Sequence, residues 1–213
     1  MKAFARVTTG KDGLEQRTAT ANTPDMRLFH FSDDPGITEF VPRPVGVPAE
    51  RKPHMEWLNG PLVWAIEEDW QALYLFPRDC PRILIRPKAT SVEADLLHWF
   101  PTGTAQTIIY IETAWRERLS VAKLSRYELP GASFEPLSDA GMWVSRQSVV
   151  PVGCATLSDL PKSLADHGVE LRVVDSLLPL RDLWSTSLHV SGVRLRNALD
   201  WLATGQPLRA TRR

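Results

Sequence analysis

The sequence lacks the signatures by which common enzyme classes are recognised. It contains no glycine-rich phosphate loop and no dinucleotide-binding fingerprint, because glycines such as Gly153 and Gly168 are isolated. It has no His-Glu-x-x-His pattern and no Cys-x-x-Cys pair, and its five histidines are scattered, so no spacing predicts a metal site. A Gly-x-Ser-x-Gly nucleophile elbow is missing as well. These absences exclude the easily recognised classes of enzyme and leave other chemistry open.

Net charge and long apolar runs are also missing. Lys and Arg number 25, as do Asp and Glu, so the chain lacks the broad basic field of non-specific nucleic-acid binding. No apolar run approaches the ~20 residues of a membrane helix, and no apolar segment follows Lys2 and Arg6 as in a secretory signal. The two cysteines, Cys80 and Cys154, are expected to be buried apolar thiols. We therefore expect a cytoplasmic protein with no membrane partner and no general affinity for nucleic acid. Its oligomeric state stays open.

The length and composition favour one domain with two tails. Residues 1–25 are polar and show no apolar periodicity, which predicts a disordered tail. Residues 26–204 are long enough for a single domain with its own core, and residues 205–213 form a short basic tail. The 17 prolines predict short elements and ordered corners.

Short strands and short helices alternate irregularly within this domain. Periodicity predicts seven or eight strands and four or five helices, with a hairpin over residues 141–145 and 149–154 and a last helix that begins at residue 192 or 193 and ends at residue 202. The order is neither a strict βαβ alternation nor an all-β meander. It predicts an α+β fold in which one curved, mainly antiparallel sheet is flanked by short helices.

The first stretch with chemical potential is a short strand at residues 27–32. Its side chains alternate with a period of two, so His30 and Ser32 lie on the face opposite Phe29 and Phe31. A histidine can donate or accept a hydrogen bond at neutral pH, which suits a ligand hydroxyl. The alternative is a core histidine with all its bonds satisfied inside the protein.

The second stretch, residues 62–82, combines a strand, a helical turn and a corner stiffened by two prolines. Such a corner fixes the direction of Arg78 and Arg82, which suits bidentate binding of phosphate or carboxylate. Alternatively, one of them pairs with Asp79 or a backbone carbonyl and locks the corner. Trp64 and Tyr74 offer aromatic faces or serve as core residues.

A third cation comes from a proline-rich loop. Residues 41–53 contain four prolines and cannot form a central strand. Loops of this length often serve as lids or binding segments. Arg43 in this loop is therefore a further candidate for binding phosphate.

Several strings of the sequence are identified as those of a bacterial domain family of unknown function. The resemblance covers nearly all of residues 26–198, and FPRDCPR and RLRNA are its most unusual strings. It implies no activity. The strings that carry it include LFHFS (28–32), VWAI (63–66), YLFPRDCPR (74–82) and RLRNA (194–198).

The order of elements is also similar to the start of ADP-ribosyltransferase-type NAD-binding folds. A strand with His30 and Ser32 precedes a short helix and then a strand in which the aromatic Trp64 is followed by a small residue. Where such folds often have a glycine after the histidine, this sequence has Phe31.

This second resemblance implies particular roles. His30 would bond a ribose hydroxyl, and Trp64 or Tyr74 would stack on nicotinamide. Glu112 or Glu128 would orient the ribose and stabilise positive charge as the glycosidic bond breaks.

Glu128 is the better of the two carboxylates on local grounds. It lies on a strand between Tyr127 and Leu129, and apolar neighbours raise the pKa of a carboxyl group. The alternative is an outward, solvated strand position.

The leading hypothesis is a pocket of the ADP-ribosyltransferase type that binds NAD or another nucleotide-like anion, with a transferase or hydrolase step as an extension. The alternative is a non-catalytic ligand-binding or protein-interaction domain. A pocket requires His30, an aromatic residue and an arginine to converge on a cavity, whereas a structural role requires Arg78 and Arg82 in buried salt bridges and an enclosed His30. The candidate catalytic residues are Glu128 and His30, and the candidate ligand-binding residues are His30, Ser32, Arg43, Trp64, Tyr74 and Arg78.

Overall fold

Two open sheets of short strands organise the chain in the computed structural model, which describes residues 27–48, 50–137 and 140–202. The predicted tails, residues 1–25 and 205–213, lie outside the described residues. The strands are β1 (Leu28–Ser32), β2 (Val63–Glu67), β3 (Arg82–Arg86), β4 (Thr107–Glu112), β5 (Leu124–Leu129), β6 (Glu135–Pro136), β7 (Met142–Ser145), β8 (Gly153–Leu157), β9 (Val169–Val174) and β10 (His189–Val193).

Helices in the described residues are short. The α-helices are α1 (Glu93–Trp99), α2 (Arg116–Val121) and α3 (Leu160–Asp166), and 3₁₀ helices cover Glu56–Asn59, Glu68–Tyr74, Thr113–Trp115, Gly131–Ser133, Leu178–Ser185 and Leu195–Asn197. None of these helices has the length and apolar character that crossing a bilayer requires.

The six-stranded sheet has the order β6-β7-β2-β1-β5-β8, and the four-stranded sheet has the order β10-β3-β4-β9. Neighbouring strands are antiparallel except for the parallel pair β4 and β9. The α+β class and the mainly antiparallel pairing are therefore confirmed. The prediction of one curved sheet was wrong, because the strands divide into two separate sheets.

A shared core joins the sheets into one domain. Leu84 and Ile109 of the four-stranded sheet belong to the same buried cluster as Leu124 of β5. The opposite face of the four-stranded sheet is also covered, where Ile83 and Ile108 pack among residues of the C-terminal segment. Burial of both faces explains why β3 and β4 read as continuous apolar runs.

Two predicted elements were wrong in their pairing or type. The expected hairpin does not form, because β7 pairs with β2 and β6 whereas β8 pairs with β5. Apolar alternation marks a strand but does not identify its partner. The expected last helix is replaced by β10 and the 3₁₀ helix Leu195–Asn197, because His189–Val193 pairs with β3 along its whole length.

Candidate anion-binding site

The site begins where β1 and β2 separate. Their pairing covers Leu28 with Glu67 and Phe29 with Ile66, and it does not extend to the next position, His30. Instead, the Nδ1 atom of His30 lies 2.8 Å from the main-chain oxygen of Trp64. Because a carbonyl oxygen only accepts, Nδ1 carries the hydrogen and donates it. The imidazole thus joins the two strands where a ladder bond would otherwise lie.

A cavity of about 520 Å³ lies between the sheets beside this imidazole. Its size falls within the range of small-molecule pockets. It brings together five of the predicted site residues, namely His30, Ser32, Trp64, Tyr74 and Arg78. This is the convergence that the pocket hypothesis requires.

One wall of the cavity combines the two unusual strings of the sequence, FPRDCPR and RLRNA. The Nε of Arg194 donates a hydrogen bond of 3.1 Å to the main-chain oxygen of Arg78. The Nδ2 of Asn197 donates one of 2.8 Å to the main-chain oxygen of Asp79, whose carboxylate lies 3.9 Å from Arg194 Nε. These contacts place the side chains of both strings, including Arg196, around one cavity.

Arg194 reaches this position through an uncommon backbone conformation. Its φ of 55° lies in the left-handed region of backbone conformation, which residues other than glycine, asparagine and aspartate rarely adopt. The residue follows β10 and directly precedes the 3₁₀ helix Leu195–Asn197, which contains Arg196. Non-glycine residues in this region cluster at functional sites.

Arg82 is the buried member of the wall, with 3% of its surface exposed. It donates from Nε to the oxygen of Leu73 at 2.6 Å and from Nη1 to the oxygen of Cys80 at 2.8 Å. The predicted lock between an arginine and a backbone carbonyl is therefore confirmed for Arg82. Burial lowers its pKa to about 10, so it remains charged at pH 7.

No carboxylate in the described part of the chain pairs with Arg82. Arg82 nevertheless lines the cavity, and its Cζ atom lies 5.1 Å from the centre of the Phe76 ring. A buried charge without an opposite charge is costly. The cavity is where a counter-charge can approach it.

The other arginines of the cavity are more accessible. Arg78 and Arg196 are exposed, and their side chains form no hydrogen bond or ion pair with any other described residue. Arg51, from the proline-rich loop, donates from Nε to Asn59 Oδ1 at 3.2 Å and lies 5.9 Å from the Trp64 ring. Together with Arg82 and Arg194, five arginines line the cavity against one carboxylate, Asp33.

The imidazole of His30 is held in its neutral form. Burial lowers its pKa, and the charge of Arg78 lowers the pKa further, against the opposing effect of the bond to Trp64. With the hydrogen on Nδ1, the Nε2 atom has a lone pair, and no described residue bonds to it. His30 can therefore accept a hydrogen bond from a ligand.

Aromatic rings form the apolar part of the cavity. The rings of Phe31 and Tyr74 are nearly parallel, with centroids 6.4 Å apart and an interplanar angle of 16°. The hydroxyl of Tyr74 donates to the sulfur of Met142 at 3.1 Å, which fixes the ring. Trp64 adds a further ring beneath Arg51.

Glu128 does not lie in this cavity. Its carboxylate accepts two hydrogen bonds from Arg27, at 3.1 Å from Nε and 2.9 Å from Nη2. These bonds lower the pKa of Glu128, so the expected raised pKa was wrong. The partner is 101 residues away in the sequence, and local apolar neighbours gave no sign of it.

Two other predicted residues also lie outside the cavity lining. Arg43 is exposed and forms a backbone bridge with Leu62. Glu112 is buried and accepts from the backbone nitrogens of Leu177 and Leu199, which anchors the C-terminal segment. The described residues contain no cluster of three or more His, Cys, Asp or Glu that could hold a metal ion.

Sequence reasoning did not place Arg51, Arg194 and Arg196 in the site. The only signals were the length of the proline-rich loop and the unusual RLRNA string. Neither one indicates a spatial neighbour, since Arg194 and Arg78 are 116 positions apart.

Comparison with known proteins identifies a family but no activity. A family model described as a family of unknown function, DUF6886, matches residues 29–198, and the chain belongs to this family. No curated protein and no solved structure matches the chain. The resemblance to a domain family of unknown function is thus confirmed, whereas the resemblance to ADP-ribosyltransferase folds stays a hypothesis.

Proposed function

We propose that this member of the DUF6886 family binds a phosphate-bearing small molecule of the nucleotide or NAD type in the cavity between its sheets. The observation that carries the proposal is the buried, charged guanidinium of Arg82, which has no carboxylate partner among the described residues. A phosphate group supplies the missing negative charge and accepts bidentate hydrogen bonds from arginine.

The polar residues beside this wall suit the sugar of such a ligand. His30 can accept a hydrogen bond at Nε2. Ser32 lines the same cavity, and its hydroxyl oxygen already accepts from the backbone nitrogen of Asp34 at 3.1 Å, so its hydrogen is available to donate. An acceptor next to a donor matches a pair of ribose hydroxyls.

The aromatic residues provide surfaces for a flat ring. Tyr74 and Trp64 both line the cavity, and stacking of one base on an aromatic side chain contributes ~1–3 kcal/mol. The arginines and the aromatic rings therefore address different parts of one nucleotide-like molecule.

The alternative structural role for the same residues is met only in part. His30 packs against the buried ring of Phe40, and Arg82 is locked to backbone oxygens, as that role requires. Neither Arg78 nor Arg82, however, forms an ion pair with a described residue. A chemical step that uses Glu128 is also poorly supported, because Arg27 occupies its carboxylate away from the cavity lining. Binding, rather than catalysis by Glu128, is the function that the geometry supports best.

A thermal-shift screen tests this function. NAD, ADP-ribose, ADP, AMP and inorganic phosphate are compared with buffer of equal ionic strength. A ligand at a hundred times its dissociation constant stabilises the folded state by ~2.7 kcal/mol, which a melting curve resolves. We expect a shift with at least one nucleotide that decreases in Arg78→Gln and persists in Arg43→Gln.

The two variants form a matched pair. Both residues are exposed arginines, but only Arg78 lines the cavity. An equal loss of the thermal shift in the two variants would show that the compound does not bind in the cavity. No shift with any compound would contradict the proposed function.

A further inference from the structure

The four arginines of the cavity wall form two pairs on two chain segments. The corner pair is Arg78 and Arg82, and the turn pair is Arg194 and Arg196. The hydrogen bond from Arg194 Nε to the oxygen of Arg78 fixes the turn against the corner. A second bond, from Asn197 Nδ2 to the oxygen of Asp79, reinforces this contact. The two pairs therefore form adjacent parts of one rigid wall.

Each pair keeps donors that the protein itself does not use. Arg82 uses Nε and Nη1 for backbone oxygens, and no described residue bonds to its Nη2. Arg194 uses Nε in the same way. Arg78 and Arg196 have complete guanidinium groups without a protein partner among the described residues. Free donors are thus present on both segments.

A single phosphate does not satisfy this number of donors. A terminal phosphoryl group offers three strong acceptor oxygens, and one bidentate guanidinium engages two oxygens. Two phosphoryl groups joined to each other give each pair of arginines its own group. Two phosphoryl groups also bring enough negative charge to balance the positive charge of the four arginines. On the protein side, the carboxylate near this wall is that of Asp79, 3.9 Å from Arg194 Nε.

We propose that the ligand carries a diphosphate, with one phosphoryl group on the corner pair and the other on the turn pair. This inference rests on the proposed function and narrows it from phosphate-bearing molecules in general to diphosphates such as nucleoside diphosphates. A monophosphate engages one pair and leaves the other without a partner.

Two bisphosphonates separate a fitted diphosphate site from simple attraction to charge. Methylenebisphosphonate holds its two phosphonate groups on one carbon, whereas propane-1,3-bisphosphonate carries the same groups farther apart. Isothermal titration of the full chain at fixed ionic strength compares them with inorganic phosphate. We expect methylenebisphosphonate to bind about tenfold tighter than the other two probes, since two fitted charge-assisted contacts replace one.

Variants of each pair locate the two groups. Arg78→Gln and Arg196→Gln change exposed residues that have no partner in the described structure, so they leave the fold intact. We expect each variant to reduce the preference for methylenebisphosphonate to about twofold or less, because one pair is then incomplete. Arg43→Gln is the control and keeps the full preference.

The outcomes distinguish this inference from the function on which it rests. If the two bisphosphonates bind equally well, the inference that the ligand carries a diphosphate is wrong. It is also wrong if Arg196→Gln weakens the binding of phosphate and of methylenebisphosphonate by the same factor. The proposed function survives those results if a nucleotide still binds in a manner that depends on Arg78. If neither the bisphosphonates nor any nucleotide binds, both proposals fall.

Discussion

Arg194 donates a hydrogen bond from Nε to the main-chain oxygen of Arg78 over 3.1 Å, although the two residues are 116 positions apart. Both side chains line the same cavity. Since the acceptor is a backbone oxygen, the guanidinium of Arg78 stays available. The contact therefore fixes the corner against the turn without using the exposed guanidinium of Arg78.

Gly192 makes this wall possible by allowing a close approach. A Cβ atom at this position would overlap Leu195 Cδ1 and would lie 3.0 Å from Trp184 Cζ2. We therefore expect Gly192→Ala to lower the free energy of unfolding by about 1–3 kcal/mol through overpacking, measured by urea denaturation. Gly153→Ala is the control, since a Cβ there meets no atom within 4 Å. An unchanged midpoint for Gly192→Ala would mean that the turn relaxes without cost.

The hydroxyl of Tyr127 connects β5 to the segment that follows β1. It donates to the oxygen of Asp34 at 2.7 Å and accepts from the nitrogen of Ile37 at 3.0 Å. Tyr127→Phe removes both bonds and keeps the ring, so we expect a loss of about 1–2 kcal/mol in unfolding free energy. Chemical denaturation measures it, and a loss near zero would show that water replaces the hydroxyl.

His30 predicts a dependence of stability on pH. Burial holds its folded pKa below the ordinary value of 6.5. Above that pH the imidazole is neutral in both states and has no effect. As the pH falls below 6.5, the unfolded chain binds a proton that the folded chain does not, so the free energy of unfolding decreases until the folded pKa is passed.

Denaturation at about pH 7.5 and about pH 5.5 measures this effect. We expect a smaller decrease in His30→Gln, whose amide can still donate to the oxygen of Trp64 but does not titrate. His98→Gln, at an exposed position on α1, should behave as the unmodified protein. An equal decrease in unfolding free energy in the unmodified protein and both variants would show that His30 does not cause the dependence on pH.

The two cysteines differ in exposure. Cys80 is fully buried, and its burial raises its pKa to about 12, so it should stay a protonated thiol. Cys154 is exposed on β8, which corrects the expectation that both are buried. A thiol-reactive dye should therefore label one cysteine per folded chain and both after denaturation. Rapid labelling of Cys80 in the folded protein would contradict its burial.

The sequence predicted local features of the fold more successfully than their partners. The alternation in residues 27–32 predicted the strand that carries His30, and the prolines around Arg78 predicted an ordered corner. Both are determined by residues that are close in the sequence. The α+β class followed from the same local patterns.

Local patterns of this kind do not predict contacts between segments that are distant in the sequence. A period of two shows which side chains share a face, but it does not show that β1 and β2 part after two residue pairs. In the same way, the neighbours of Glu128 in the sequence are apolar, whereas its partner in space is Arg27. Sequence reasoning therefore predicted His30 and Arg78 as site residues but missed Arg194 and Arg196, which lie on the same wall as Arg78.

The parting of β1 and β2 divides the six-stranded sheet into two leaves. One leaf consists of β6, β7 and β2, and the other of β1, β5 and β8. The strands themselves are joined at this seam by two backbone pairs and the imidazole of His30. Side chains pack across it as well, since Leu28 of β1, Val63 of β2 and Tyr127 of β5 share one buried cluster. The continuity of the six-stranded sheet at this seam therefore depends on side-chain packing and on one imidazole as much as on backbone hydrogen bonds.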